Sequence, residues 1–246
     1  MNCDYDQFMK MPNWYPYLSA HAFPTTFVRL RPDAIEFLAL DEIRRRVVPK
    51  EISKLVVEDL GKVMSRISGN CFTSVETCSP TDTERFRTKR GAVYSPESAW
   101  RYLCLSEKVH QAAIEGNANF VCLRPFRRIN PAREFRLFIC NGELAAMSQY
   151  WLTRHFPQLD KDGKVFWKKA EKLVKQVIWQ FPVDNFVMDI YVTSSGKLLI
   201  IDLNPWGNPT DPLLLRSWDR DDWKDIPGLQ VMQPPTKISG DVNISF

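Results

Sequence analysis

The stretch LLIIDLNPWGNPTD, residues 198–211, sets four aliphatic residues ahead of Asp202 and Asn204 and then breaks into a turn rich in proline and glycine. Four apolar residues bounded by turn signals read as a buried strand. Residues two apart on a strand share a face, so Asp202 and Asn204 point the same way. An unpaired carboxylate at the end of such a strand is costly, and something has to meet it. Residues 185–193 form a second strand-like run, and Ser195-Gly196 lies between the two. A two-residue turn there sets Ser194 opposite Lys197 and, further along, Asp189 opposite Asp202. Facing Cβ atoms lie about 4.5–5.5 Å apart, and at an effective dielectric near 20 two carboxylates at that spacing repel by roughly 3 kcal/mol. Asp189, Asp202 and Asn204 then offer two anionic oxygens and an amide carbonyl in one patch, a hard-ligand set suited to magnesium. The same residues also allow a purely structural arrangement, with one Asp paired to an arginine and the other capping the Asn-Pro turn.

A second hairpin lies upstream. Residues 134–150 read as strand, Asn141-Gly142, strand, and Asn-Gly is a strong two-residue turn signal. With that turn, Phe135, Leu137 and Ile139 face Ser148, Ala146 and Leu144 on an apolar side, while Glu134 and Arg136 share the other side with Gln149. Arg124 ends the apolar run that begins at Phe120. Two arginines beside an acidic patch suit a polyphosphate shared between guanidinium forks and a metal; Glu134 and Arg136 could equally form a solvated pair. Helical periodicity fills the first half of the chain, over 33–46, 50–67 and 96–115, the last opened by Ser95 as cap and Pro96 in the first turn. Another amphipathic helix, with a lysine-rich outer face, is expected over 166–179. Helices combined with antiparallel hairpins indicate an α/β protein of α+β lobes.

Composition narrows the function. The 246 residues are 44% hydrophobic and 25% charged, with a formal net charge of +4, which describes a folded chain without a strong polyelectrolyte character. The run Arg85, Arg87, Lys89, Arg90 and eight tryptophans leave a nucleic-acid reading open, ranked last because most of those aromatics fall inside assigned elements. Six cysteines form no CxxC pair, so they are expected to be free thiols. No apolar window approaches membrane-span length, and MNCDYDQFMK carries early acids without a signal-peptide core, so a cytoplasmic, monomeric protein without membrane or nucleic-acid partners is expected. His21, His110 and His155 are scattered and suggest no hydrolytic triad.

Five segments together resemble the cell division cycle 123 family: Trp14-Tyr15-Pro16, CFTSVETCSPTD (71–82), FVCLRPF (120–126), REFRLFICNGELAAMSQ (133–149) and NFVMDIYVTSSGKLLIIDLNPWGNPTD (185–211). The resemblance implies an ATP-grasp-like fold, two lobes with antiparallel sheets enclosing a nucleotide cleft. It divides the chain into residues 1–118, mostly helical and including the small covering lobe, and residues 119–246, with both hairpins and the metal site. It implies ATP and Mg2+ as cofactors, with magnesium on Asp189, Asp202 and Asn204 and the nucleotide by Arg124 and Arg136, its adenine against residues 121–124; Leu123, Glu134 and Gln149 complete the expected nucleotide set. The function implied is assembly of translation initiation factor 2, with its gamma subunit as partner and Trp14 and Tyr15 as candidate docking residues; these two could also be ordinary packing residues. The competing function is an ATP-dependent carboxylate ligase acting through an acyl phosphate. One departure stands out: where the family pattern has a lysine followed by asparagine and tryptophan, this chain reads Ser74, Val75, Glu76, Thr77, and the basic run 85–90 is the candidate replacement.

Overall fold

The computed structural model describes residues 5–47, 50–223 and 228–235; Cys3 and Phe246 lie outside them. Helices α1 (Tyr5–Met9) and α2 (Met11–Leu18) lead into strand β1 (Thr26–Arg29), followed by α3 (Pro32–Leu38), α4 (Glu42–Arg46) and α5 (Lys50–Met64). Next come β2 (Cys71–Val75), α6 (Glu84–Lys89), β3 (Ala92–Val93), α7 (Pro96–Cys104), α8 (Glu107–Ile114) and β4 (Phe120–Pro125). The expected helices over 33–46 and 96–115 are each broken in two. The second half of each restarts on a side-chain cap: Asp41 accepts from the Arg44 N–H, and Ser106 from the Val109 N–H. A cap satisfies amides that a continuous helix would have bonded internally, so both breaks carry a local signal.

Strands β1 to β4 make an antiparallel sheet in the order β1-β4-β2-β3, backed by helices whose Leu38, Leu60, Trp100 and Leu103 pack with Val75 and Leu123. The rest of the chain supplies β5 (Glu134–Cys140), β6 (Glu143–Gln149), α9 (Gln158–Val177), β7 (Phe186–Val192), β8 (Leu198–Asn204) and β9 (Leu229–Gln230). They form a second sheet in the order β8-β7-β5-β6-β9, antiparallel except for the β6–β9 pair. One face buries Phe135, Leu137, Met188 and Ile190 against Ala170, Leu173 and Val174 of α9; on the other, Phe138 and Val187 meet Trp206, Trp218 and Trp223. Burial on both faces explains why β5 has no polar-out alternation.

A division at residue 118 is not where the two cores part. Strand β4 follows that point yet belongs to the first sheet, while α1 and α2 precede it and pack Phe8, Met11, Trp14 and Leu18 into the second core. Trp14 is fully buried, so the docking role expected of its indole is corrected to core packing. Tyr15 is partly buried against Phe27, and its hydroxyl accepts from the Thr25 N–H at 2.9 Å, tying α2 to the chain entering β1.

Candidate functional site

The facing of Asp189 and Asp202 is observed, by a route that the two-residue turn does not describe. Next to the turn Val192 pairs with Leu198, and Thr193 closes a five-residue loop by accepting and donating bonds with Lys197. A bulge between Asp189 and Ile190 then inserts Ile201 and restores the Asp189–Asp202 pair. A bulged residue leaves the ladder, and the Ile201 carbonyl accepts from Arg124 Nη2 at 2.9 Å. In the first hairpin the bulge works the other way: a shift between Phe138 and Ile139 pairs Arg136 with Ser148 and Phe135 with Gln149, correcting the expected register by one residue. Gln149 is thereby on the Phe135 side and fully buried; its amide donates to the Trp151 and Arg154 carbonyls, and its oxygen accepts from the Met232 N–H. It is not among the residues that line the cleft.

Between the two sheets lies a cavity of about 620 Å³. The large sheet contributes Glu134, Arg136, Asp189, Asp202 and Asn204; the small lobe contributes Arg124, Phe86, Lys108 and the loop carrying Thr77, Cys78, Ser79 and Thr81. Arg124 is buried, with Nε on Thr25 Oγ1 at 3.0 Å and Nη2 on Met11 Sδ at 2.7 Å as well as on Ile201. It joins β4 to α2 and to the large sheet, and burial pulls its pKa below the ordinary value. Leu123, one residue earlier, is fully buried in the core of the small lobe.

Arg136 and Asp189 form a buried fork, Nε and Nη2 each 2.8 Å from a carboxylate oxygen, and Asn204 Nδ2 donates to Asp189 at 3.1 Å. Arg136 Nη1 also holds the Asp211 carbonyl at 2.7 Å, and its guanidinium lies 5.3 Å from the centroid of Tyr150. Burial opposes the Arg136 charge, but Asp189 holds its pKa above the ordinary value. Asp202 spends one oxygen on the Leu203 N–H, and no second partner is seen for it among the described residues. Burial, then Asp189, pushes its carboxyl up to about 7, with Arg124 pulling the other way. Glu134 also rises to about 7, through burial, although Trp151 Nε1 donates to it at 2.7 Å.

The oxygen set tests whether a cation fits. Asp202 has one oxygen without a partner among the described residues and an unfavourable charge that a cation would relieve; Asn204 could turn its amide oxygen inward, and Asp189 would have to share with Arg136. Among the described residues no three His, Cys, Asp or Glu side chains cluster as metal ligands, so phosphate oxygens and water would complete the shell. The donors fit a hard cation shared with a phosphate. Ser74, by contrast, is buried opposite Cys122 and does not line the cavity; beside it Glu76 already meets Lys10 at 3.8 Å and Asn119 at 2.9 Å. Sequence reasoning missed Lys108 and Trp151, which lie outside the quoted motifs; Thr77, Cys78, Ser79 and Thr81 fall within the quoted 71–82 segment and Phe86 within the 85–90 run, but none was named as a site residue.

Residues 98–227 match the D123 family. The chain is 35% identical over 109 residues to a Xenopus laevis protein named translation initiation factor eIF2 assembly protein, covering 43% of this chain and 32% of that protein. It is 38% identical over 99 residues to cell division cycle protein 123 of Candida glabrata, covering 39% and 27%. The matched region is thus about a third of the length of these relatives. The solved structure of Cdc123 from Schizosaccharomyces pombe superposes with a TM-score of 0.74 at 19% identity, over 87% of this chain and 90% of that one; a C-terminally truncated form gives 0.75 at 18% identity, over 95% and 96%. The two-lobe fold is therefore that of Cdc123, and with more than half its length matched the chain belongs to the D123 family.

Proposed function

We propose that this chain binds Mg-ATP in the cleft between its sheets and acts as an assembly factor for translation initiation factor 2, docking on the gamma subunit in the cytoplasm. The observation that carries the nucleotide half is the pairing of buried cationic forks, Arg124 and Arg136, with the underfilled carboxylate Asp202 on the walls of one cavity. Asp202, with Asn204 beside it, would hold a magnesium ion there, and the ion would neutralise the carboxylate and polarise phosphate groups. Arg136, locked on Asp189, fixes the position of that acid; Arg124 bonds to groups of both lobes across the cleft. The assembly half is supported by the names of the relatives and rests on family membership. A ligand gripped by two lobes strengthens partner binding only if the partner prefers the same lobe arrangement. Purified gamma subunit should be retained by the immobilised chain more strongly with Mg-ATP than without it. Retention that ignores nucleotide, or ADP release that requires an added amine or thiol acceptor, would replace the assembly reading with an independent platform or with a ligase.

A further inference from the structure

Among the described residues, five cations line the cleft: Arg90, Lys108, Arg124, Arg127 and Arg136. Most donors of Arg124 and Arg136 are spent on protein groups. Arg90 lies over the Trp151 ring, 5.8 Å from its centroid, and Arg127 sits on the exposed connector after β4. Lys108 differs from both. Its Nζ donates to a hydroxyl, Thr81 Oγ1, at 2.9 Å, and among the described residues no carboxylate pairs with it, so its charge is unneutralised there and two N–H donors are open. Its backbone is bolted down: the Asp82 carboxylate accepts from Ser106 Oγ and the Glu107 N–H at 2.7 Å each and from the Lys108 N–H at 3.3 Å. The same short segment carries Thr77, Ser79 and Thr81 along the cleft wall.

Lys108 lines the same cavity as Cys78, Asp189 and Asp202, contributed from the small lobe where the acids come from the large sheet. The Cys78 thiol is pushed up to about 12 by burial first and Asp202 second, with Lys108 pulling it down. We propose that Lys108, with the hydroxyl of Thr81, is this chain's contact to the outermost phosphate of the bound nucleotide, reaching from the small lobe toward the phosphate oxygens that a cation on Asp202 would share. The inference rests on the nucleotide reading above and assigns the phosphate-sensing charge to the N-terminal turn of α8, away from β2, where Ser74 is buried.

Calorimetric titration of the full chain with Mg-ATP and with AMP tests it, using Lys108→Gln, Lys108→Arg and Arg127→Gln. A charge-assisted hydrogen bond is worth roughly tenfold or more in affinity. Lys108→Gln should therefore weaken Mg-ATP by about that factor while changing AMP by less than about twofold, and Lys108→Arg should restore most of the loss. Equal losses for both nucleotides, an unchanged Mg-ATP affinity, or a selective Mg-ATP loss in Arg127→Gln instead would overturn the assignment of Lys108. If the unaltered chain binds neither nucleotide, the nucleotide reading itself falls, and this inference with it.

Discussion

Asp189 and Asp202 face each other across β7 and β8, yet the structure predicts that removing them has opposite effects on stability. Asp189 neutralises a buried arginine through two 2.8 Å bonds. Deleting one member of such a pair strands the other charge and costs about 3–5 kcal/mol. Asp202 has no arginine fork, and its carboxyl is raised from 3.8 to about 7 by burial and by Asp189. The folded chain then binds this proton more tightly than the unfolded chain. The stability associated with it is fully present below about pH 4 and is lost as pH rises through about 7. Above that, the ionised group costs at most about 4 kcal/mol, because each tenfold difference in proton affinity between folded and unfolded chain is worth roughly 1.4 kcal/mol. Asp202→Asn keeps an oxygen for the Leu203 N–H and removes that cost. In urea unfolding without nucleotide, Asp202→Asn should match the parent near pH 4 and exceed it by up to about 4 kcal/mol at pH 8, while Asp189→Ala should fall below the parent at both. Equal destabilisation by both substitutions at pH 8 would refute the electrostatic asymmetry of the two acids.

Trp14→Ala should destabilise the chain by about 3–5 kcal/mol in the same assay, because the indole is fully buried in the second core; a near-neutral result would place it at a surface. Ser74→Lys should lower the unfolding midpoint and leave Mg-ATP affinity no tighter, since the new ammonium would enter a buried site where Glu76 is already shared by Lys10 and Asn119; tighter ATP binding would show that position 74 reaches the cleft after all.

Both hairpins were legible because Asn141-Gly142 and Ser195-Gly196 punctuate apolar runs, and those runs carry the acids and arginines that meet in the cleft. Their registers were not. The Asp189–Asp202 pair was found from sequence only because a longer turn and the Ile201 bulge offset each other, whereas the uncompensated bulge in the first hairpin moved Gln149 to the other side. Bulges depend on tertiary context and leave no periodic trace. Strands β1 and β3 are four and two residues long, too short to show alternation. The burial of Trp14 and the bonds of Arg124 to Met11 and Ile201 join residues distant in sequence, which no local pattern encodes. The helix breaks at Asp41 and Ser106, by contrast, could have been read from their capping residues.

Whether the cleft is a Mg-nucleotide site is tested most directly by a crystal structure of the chain with magnesium and a non-hydrolysable ATP analogue. The expected result is a nucleotide between the sheets, a metal on Asp202 and Asn204, and phosphate oxygens within reach of Lys108 and Arg124. A nucleotide bound outside that cavity, or an empty cavity at saturating analogue and magnesium, would contradict it.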